Sequence, residues 1–396
     1  MTRLLLVLAL LLAATAMAQD RVTVWTHFTE LQEVEWLKTQ AQAYEAETGV
    51  HIAIVEVPFD DIRQKLTLGA TESDAADLVV TIPHDWLGEL ATSGVLEPLG
   101  RHIDADYLGE LESVAVEAFS YDGHLFGVPM FMEGIALLYN RALVERAPET
   151  WDEFLAIANE HTTSSTFGFL YQLDIPYYGY GWWNAFGGYI FGASPDGGLS
   201  AADIGLGGEA GYAAAGFIKD LRYTYGFVPE GIDYPVANSA FIDGAAAMIL
   251  NGPWAVGDYR EAGLDVGIAP MPSPPGASGP WGPMVGVQGI VLNAYSNDKA
   301  AAVAFAEYLV DPERQVSFNQ AGGRIPVARG ATEALADDPF VQGFSASIAL
   351  GDPMPNIPEM GQVWGAWGNA LQLVLQSPTS DVEAIIHDMM QQLEAN

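Results

Sequence analysis

The sequence predicts an α/β protein large enough for two domains, and three observations carry that expectation. From Val22 onward, short apolar runs alternate with segments of helical periodicity, the pattern of strands and helices wound about a mostly parallel sheet. The chain has 396 residues, 378 of them after an 18-residue leader, against about 150 for a typical domain. Residues 245–250 form an apolar run of strand length, broken by Asn251-Gly252-Pro253, and Pro253 suits the first position of a new helix. Trp254 then falls in the first turn past a strand end, where open α/β sheets bind ligands.

Residues 1–18 read as an export signal. Arg3 is its basic region, residues 4–14 its apolar run and Ala16-Met17-Ala18 its cleavage site, so Gln19 would start the mature chain. The apolar run is shorter than the ~20 residues of a membrane span. The chain has no cysteine, which excludes disulfides and a lipid-modified cysteine anchor. The expectation is a periplasmic monomer without a lipid anchor. Fifty-one acids against 15 bases give a net charge of −36, which makes nucleic acid and anionic membranes poor partners.

Residues 22–26 alternate as a strand, and the loop His27-Phe28-Thr29-Glu30 follows. Val34, Leu37, Ala41 and Tyr44 recur at helical spacing until Gly49. Residues 52–57 and 77–82 read as strands around a helix at 59–70, and Pro83-His84-Asp85-Trp86 stands at the carboxyl end of the latter strand. A strand at 135–139 follows Met130-Phe131-Met132-Glu133-Gly134, and a helix opens at Trp151. Residues 171–191 are the most aromatic stretch, interleaved with glycine and read as loop. Beyond the 245–250 strand, residues 269–283 are rich in Pro and Gly and read as a surface loop. A strand at 285–293, a helix at 298–309, an extended Arg324-Ile325-Pro326-Val327 and a rigid turn at 353–358 follow; Trp364 and Trp367 lie on a helix, and residues 382–393 form the last one.

Nucleophilic and metal chemistry lack their motifs. There is no cysteine, no G-x-S-x-G elbow, no phosphate-cradling loop, and the seven histidines have no metal-ligand spacing. No cofactor or metal is expected. Paired carboxylates could hydrolyse glycosides, and Asp85, Glu133 and Asp174 are the candidates by location. Carbohydrate binding accounts for more of the set: rings cover the apolar faces of a sugar while Asp, Glu, His and Asn bond its hydroxyls.

These residues resemble a known family, the extracellular solute-binding proteins of bacterial ABC importers, and within it the maltose/maltodextrin-binding proteins. The motifs are Asn251-Gly252-Pro253-Trp254, Met354-Pro355-Asn356-Ile357-Pro358 with Met360 and Trp364, His84-Asp85, Glu133 before Leu138-Tyr139-Asn140, Pro176-Tyr177 with Gly187-Gly188-Tyr189, and Val285-Gly286-Val287. The resemblance implies a two-lobed periplasmic-binding-protein fold with a hinge and a cleft between the lobes. Residues 19–131 plus 288–335 would form the N-terminal lobe, and 132–287 plus 336–396 the C-terminal one. An oligosaccharide would bind in the cleft and pass to the importer's permease subunits. By position, Asp85 and Glu133 correspond to hydroxyl-binding acids, Tyr177, Tyr180, Trp254 and Trp364 to lining aromatics, and His27, Thr29 and Glu30 to a cleft loop. Three basic positions common in the family are absent: residues 22–37 contain no Lys or Arg, Trp86 follows Asp85, and Gly368 stands one turn past Trp364. The identity of the glucoside stays open. An exported glycoside hydrolase or lyase using Asp85 and Glu133 is the rival reading.

Overall fold

The computed structural model describes residues 21–395 except Thr29 and Asp196. The expected export signal and Thr29 of the cleft loop therefore lie outside the described residues. Two separate hydrophobic cores organise the chain. One contains Val24, Leu37, Val79, Phe131, Val291 and Phe318. The other contains Leu137, Phe169, Trp182, Met248, Trp367 and Ile386. The bodies built on them are called here lobe one and lobe two.

The main sheet of lobe one has the order Ile325–Pro326, Gly127–Glu133, Met284–Leu292, Leu78–Pro83, Arg21–Thr26, His51–Glu56. Arg21–Thr26 runs parallel to both its neighbours, as alternating strands and helices require. Met284–Leu292 is antiparallel to Leu78–Pro83 and to Gly127–Glu133. Lobe two holds a four-stranded sheet, Val266–Ala269, Ala136–Asn140, Ala246–Asn251, Phe167–Leu170, in which only the last pair is parallel. The expected mostly parallel sheet is thus two mixed sheets. The reason lies in the crossing: strand Gly127–Glu133 ends in lobe one, and after two intervening residues Ala136–Asn140 begins in lobe two. The returning strand Met284–Leu292 pairs antiparallel beside that crossing, with Gly286 opposite Glu133.

One aromatic segment departs from its loop reading, and one loop departs from its surface reading. Within 171–191, residues Pro176–Ala185 form a helix whose Trp182 and Trp183 are fully buried. The Pro/Gly-rich run before Met284 carries no regular element, yet Trp281 within it is fully buried. Its indole lies so close to Gly181 that a Cβ there would stand 2.1 Å from the ring. A glycine inside the helix lets the irregular segment send a ring to the backbone and seal the core.

Thr81 is the extra residue of a bulge in Leu78–Pro83. Ile82 pairs with Gly289 and Val80 with Ile290, which leaves Thr81 unpaired at φ 73°. Just beyond it the strand delivers Pro83, His84 and Asp85 to the space between the lobes.

Candidate functional site

A cavity of about 630 Å³ is lined from both lobes, within the ~300–1,000 Å³ range of small-molecule sites. Strand ends and helix starts build it. Buried strand Ala246–Asn251 stops at Gly252, and Pro253–Ala255 turns tightly before the helix Val256–Glu261. Trp254 thereby lies half-buried in the cavity wall, its ring 6.1 Å from Tyr177 and 6.3 Å from Tyr178. Phe59 and Trp86 form a second ring pair in lobe one, 5.0 Å apart, with Arg63 over Trp86 at 5.3 Å. Trp364, from helix Met360–Leu375, lines the same space.

The acids are held in place from across the cavity. Asp85 accepts the Trp364 indole N–H at 2.8 Å. Burial pushes its pKa up to about 6, although the indole N–H opposes this. Next to it, neutral His84 accepts from Val287 N at 3.0 Å on Nδ1, so its Nε2 is the donor to the Met354 carbonyl at 2.8 Å. Burial holds its pKa down at about 4. Glu133 accepts from Gln288 Nε2 at 2.9 Å and from Arg324 Nη1 at 2.7 Å. The same guanidinium donates to both Glu33 oxygens, at 2.5 and 3.1 Å, and lies 5.8 Å from the Trp254 ring.

His27 and Glu30 of the first loop line the cavity, His27 edge-on to Phe59 at 4.9 Å. Burial, reinforced by Arg324, lowers the His27 pKa to about 4. Burial, then the charges of Asp258 and Glu33, raise that of Glu30 to about 7. A raised acid binds more protons folded than unfolded. Its stabilising contribution is full below the ordinary value of 4.5 and is lost as pH rises through about 7. Glu30→Gln is expected to flatten the loss of thermal stability between roughly pH 5 and 8. Melting curves that fall equally with pH in both proteins would contradict this.

Seven of the nine residues expected at the site therefore line one cavity: His27, Glu30, Asp85, Glu133, Tyr177, Trp254 and Trp364. Tyr180 does not, which corrects the sequence reading. The cavity meets only the start of the helix Pro176–Ala185, through Ile175, Tyr177 and Tyr178. Tyr180 is 2% exposed, donates its hydroxyl to Asp352 at 2.5 Å and packs edge-on to Trp367. Asp174 lies in a different, polar depression of lobe two.

Sequence reasoning missed Arg324, Gln288, Tyr178, Tyr234, Phe59 and Trp86 among the lining residues. Trp86 had a visible signal, since it stands where the family often carries a basic residue. Arg324 had none, because its partners lie 191 and 291 positions away. It supplies a cation that the three expected basic positions do not.

Among the lining residues Tyr177 carries a buried hydroxyl with no hydrogen-bond partner among the described residues. Such atoms are rare in folded proteins and costly unless something bonds them. No group of three or more His, Cys, Asp or Glu among the described residues could hold a metal ion.

Two lobes, strands crossing between them, and one ring-lined cavity shared by both define a protein that captures a ligand between two bodies. The chain belongs to the bacterial extracellular solute-binding protein family, whose sequence profile matches residues 39–343. It is 54% identical to the Thermus thermophilus maltotriose binding protein solved with maltotriose bound, with a TM-score of 0.92 over 94% of this chain and 99% of that one. It is 28% identical to the galactooligosaccharide-binding protein of Bacillus subtilis (strain 168), over 92% of this chain and 87% of that protein. It is also 29% identical to the maltotriose-binding protein of Pyrococcus abyssi, over 95% and 82%. The glycoside hydrolase or lyase alternative finds no support in this company.

Proposed function

We propose that this protein captures maltooligosaccharides of about maltotriose length and hands them to the membrane permease of an ABC importer. The observation that carries the reading is the cavity wall, where Phe59 and Trp86 of lobe one and Tyr177, Trp254 and Trp364 of lobe two stand with the polar side chains of His27, Glu30, Asp85, Glu133 and Gln288. A glucosyl unit offers the complement, apolar C–H faces with a rim of hydroxyls. The Thermus neighbour, bound to maltotriose, supports the chain length. Residues 1–18 act as the export signal, cut after Ala18. The lobes divide near residues 131 and 287, at strands Gly127–Glu133 and Met284–Leu292, and near 335, between helices Arg329–Ala334 and Pro339–Ile348.

In this reading Asp85, Glu133, Glu30 and His27 bond hydroxyls, with Thr29 in the same loop, while Tyr177, Trp254 and Trp364 cover sugar faces. Arg324 is neutralised by Glu33 and Glu133, so the site suits an uncharged ligand. Contacts made to both lobes stabilise the closed form. Asp85 and Glu133 are held by Trp364, Gln288 and Arg324, an arrangement that binds without turnover.

The test is calorimetry with maltose, maltotriose, trehalose, sucrose, glucose and a galactooligosaccharide, followed by product analysis after long incubation. Maltotriose is expected to bind among the tightest and to be recovered intact. No binding to any of these would sink the sugar reading, and glucose release would revive the hydrolase.

A further inference from the structure

Beside the cavity the lobes touch again, through residues that do not line it. Helix Val256–Glu261 of lobe two meets the carboxyl-terminal end of helix Pro312–Gly322 and the start of helix Leu31–Thr48, both of lobe one. Arg260 Nη1 donates to the Asn319 carbonyl at 2.9 Å and to that of Gln320 at 3.2 Å. Gln32 Nε2 donates to Glu261 Oε2 at 2.5 Å. The backbones themselves are close: a Cβ on Gly257 would stand 2.9 Å from the Ala321 carbonyl oxygen.

We infer that Arg260 is a positioning residue for ligand capture, a cation on lobe two that grips the last carbonyls of a lobe-one helix and holds the lobes closed over the cavity. The receiving end suits a cation. The last turn of a helix carries the negative end of the dipole, and the Asn319 carbonyl accepts from Arg260 in addition to Gly323 N of its own cap. The arginine is set in advance by its own lobe. Its guanidinium lies 4.7 Å over the Phe340 ring, and Nη2 stands 3.7 Å from Asp338 Oδ2. Asp338 is itself fixed as the cap of helix Pro339–Ile348, accepting from Phe340 N and Val341 N. Little side-chain freedom remains to be lost when Arg260 reaches lobe one. Parting the lobes along this face would break the Arg260 bonds and the Gln32–Glu261 bond together. Free energy that favours the closed form adds to the affinity of a ligand that needs both lobes.

The inference rests on the maltooligosaccharide reading only for its binding readout. Since the chain has no cysteine, spin labels on Leu68→Cys in lobe one and Gln372→Cys in lobe two report lobe separation without that reading. Arg260→Ala removes the grip, and Gly257→Ala wedges the same contact with Arg260 intact. Both are expected to lengthen the label distances of the unliganded protein and to raise the maltotriose Kd about tenfold, the scale of one charge-assisted hydrogen bond. The liganded distance should stay the same. A shift in either readout supports the clamp. Unchanged distances together with a Kd within about twofold of wild type, in whichever variant folds, would overturn it. If wild type binds no maltotriose, the sugar reading fails and the label distances alone decide the clamp.

Discussion

Trp254→Ala is expected to weaken maltotriose binding by about 30- to 2,000-fold, with a smaller loss of stability. The indole is a wall of the cavity rather than a core ring, half-buried where Trp182, Trp183 and Trp281 are fully buried. Its position is tightly set. A Cβ on Gly252 would stand 2.0 Å from the indole, so the ring lies directly over the backbone of the turn that carries it. Tyr177 and Tyr178 hold it from one side and Arg324 faces it. A sugar covering such a ring gains roughly 1.5–3 kcal/mol from apolar burial and about 0.5–1.5 kcal/mol more from face contact. The sum, about 2–4.5 kcal/mol, gives the stated range of affinity. Trp254→Phe should retain part of it. Calorimetry decides: an unchanged Kd in the alanine variant removes Trp254 from the site.

What the sequence revealed and what it hid follow one physical division. Strand ends followed by turn chemistry were legible, because Pro83-His84-Asp85 and Asn251-Gly252-Pro253-Trp254 are local signals. A break of that kind places its side chain past a strand end whatever the rest of the chain does. Which end of a helix faces the cavity is not local. Tyr177 and Tyr180 share a face of Pro176–Ala185, yet the helix presents only its start to the cavity, and Tyr180 passes to Asp352 and Trp367. Strand direction was hidden for the same reason: nothing near Met284–Leu292 says that it returns beside Gly127–Glu133 and so must pair antiparallel. Trp281 looked like loop because its partner, Gly181, lies a hundred residues earlier. Arg324 is the extreme case, since its role depends entirely on where two distant glutamates come to rest.

Those glutamates make Arg324→Met the substitution with the largest expected effect on the fold, a loss of about 3–5 kcal/mol at neutral pH. Glu33 is 0% exposed, Glu133 7% and Arg324 8%. In wild type the guanidinium answers both acids at once, with two bonds to Glu33 and one to Glu133. Burial pushes the Glu33 pKa up while Arg324 pulls it back, so removing the cation leaves the burial of Glu33 without its main counter-charge. Glu33 then has no counter-charge and Glu133 keeps only its bond from Gln288, which costs more than the lost packing of one side chain. The sign with pH follows. The variant's deficit is largest where Glu33 must ionise and shrinks as acid protonates it, so the two unfolding midpoints in urea should converge on going from pH 7 toward pH 5. Adding Glu33→Gln to Arg324→Met should recover much of the loss, because the pair acts as a unit and its double-mutant coupling is correspondingly large. A deficit that is independent of pH and simply additive with Glu33→Gln would mean that Arg324 serves the fold by packing against Phe131 and Trp254, not by its charge.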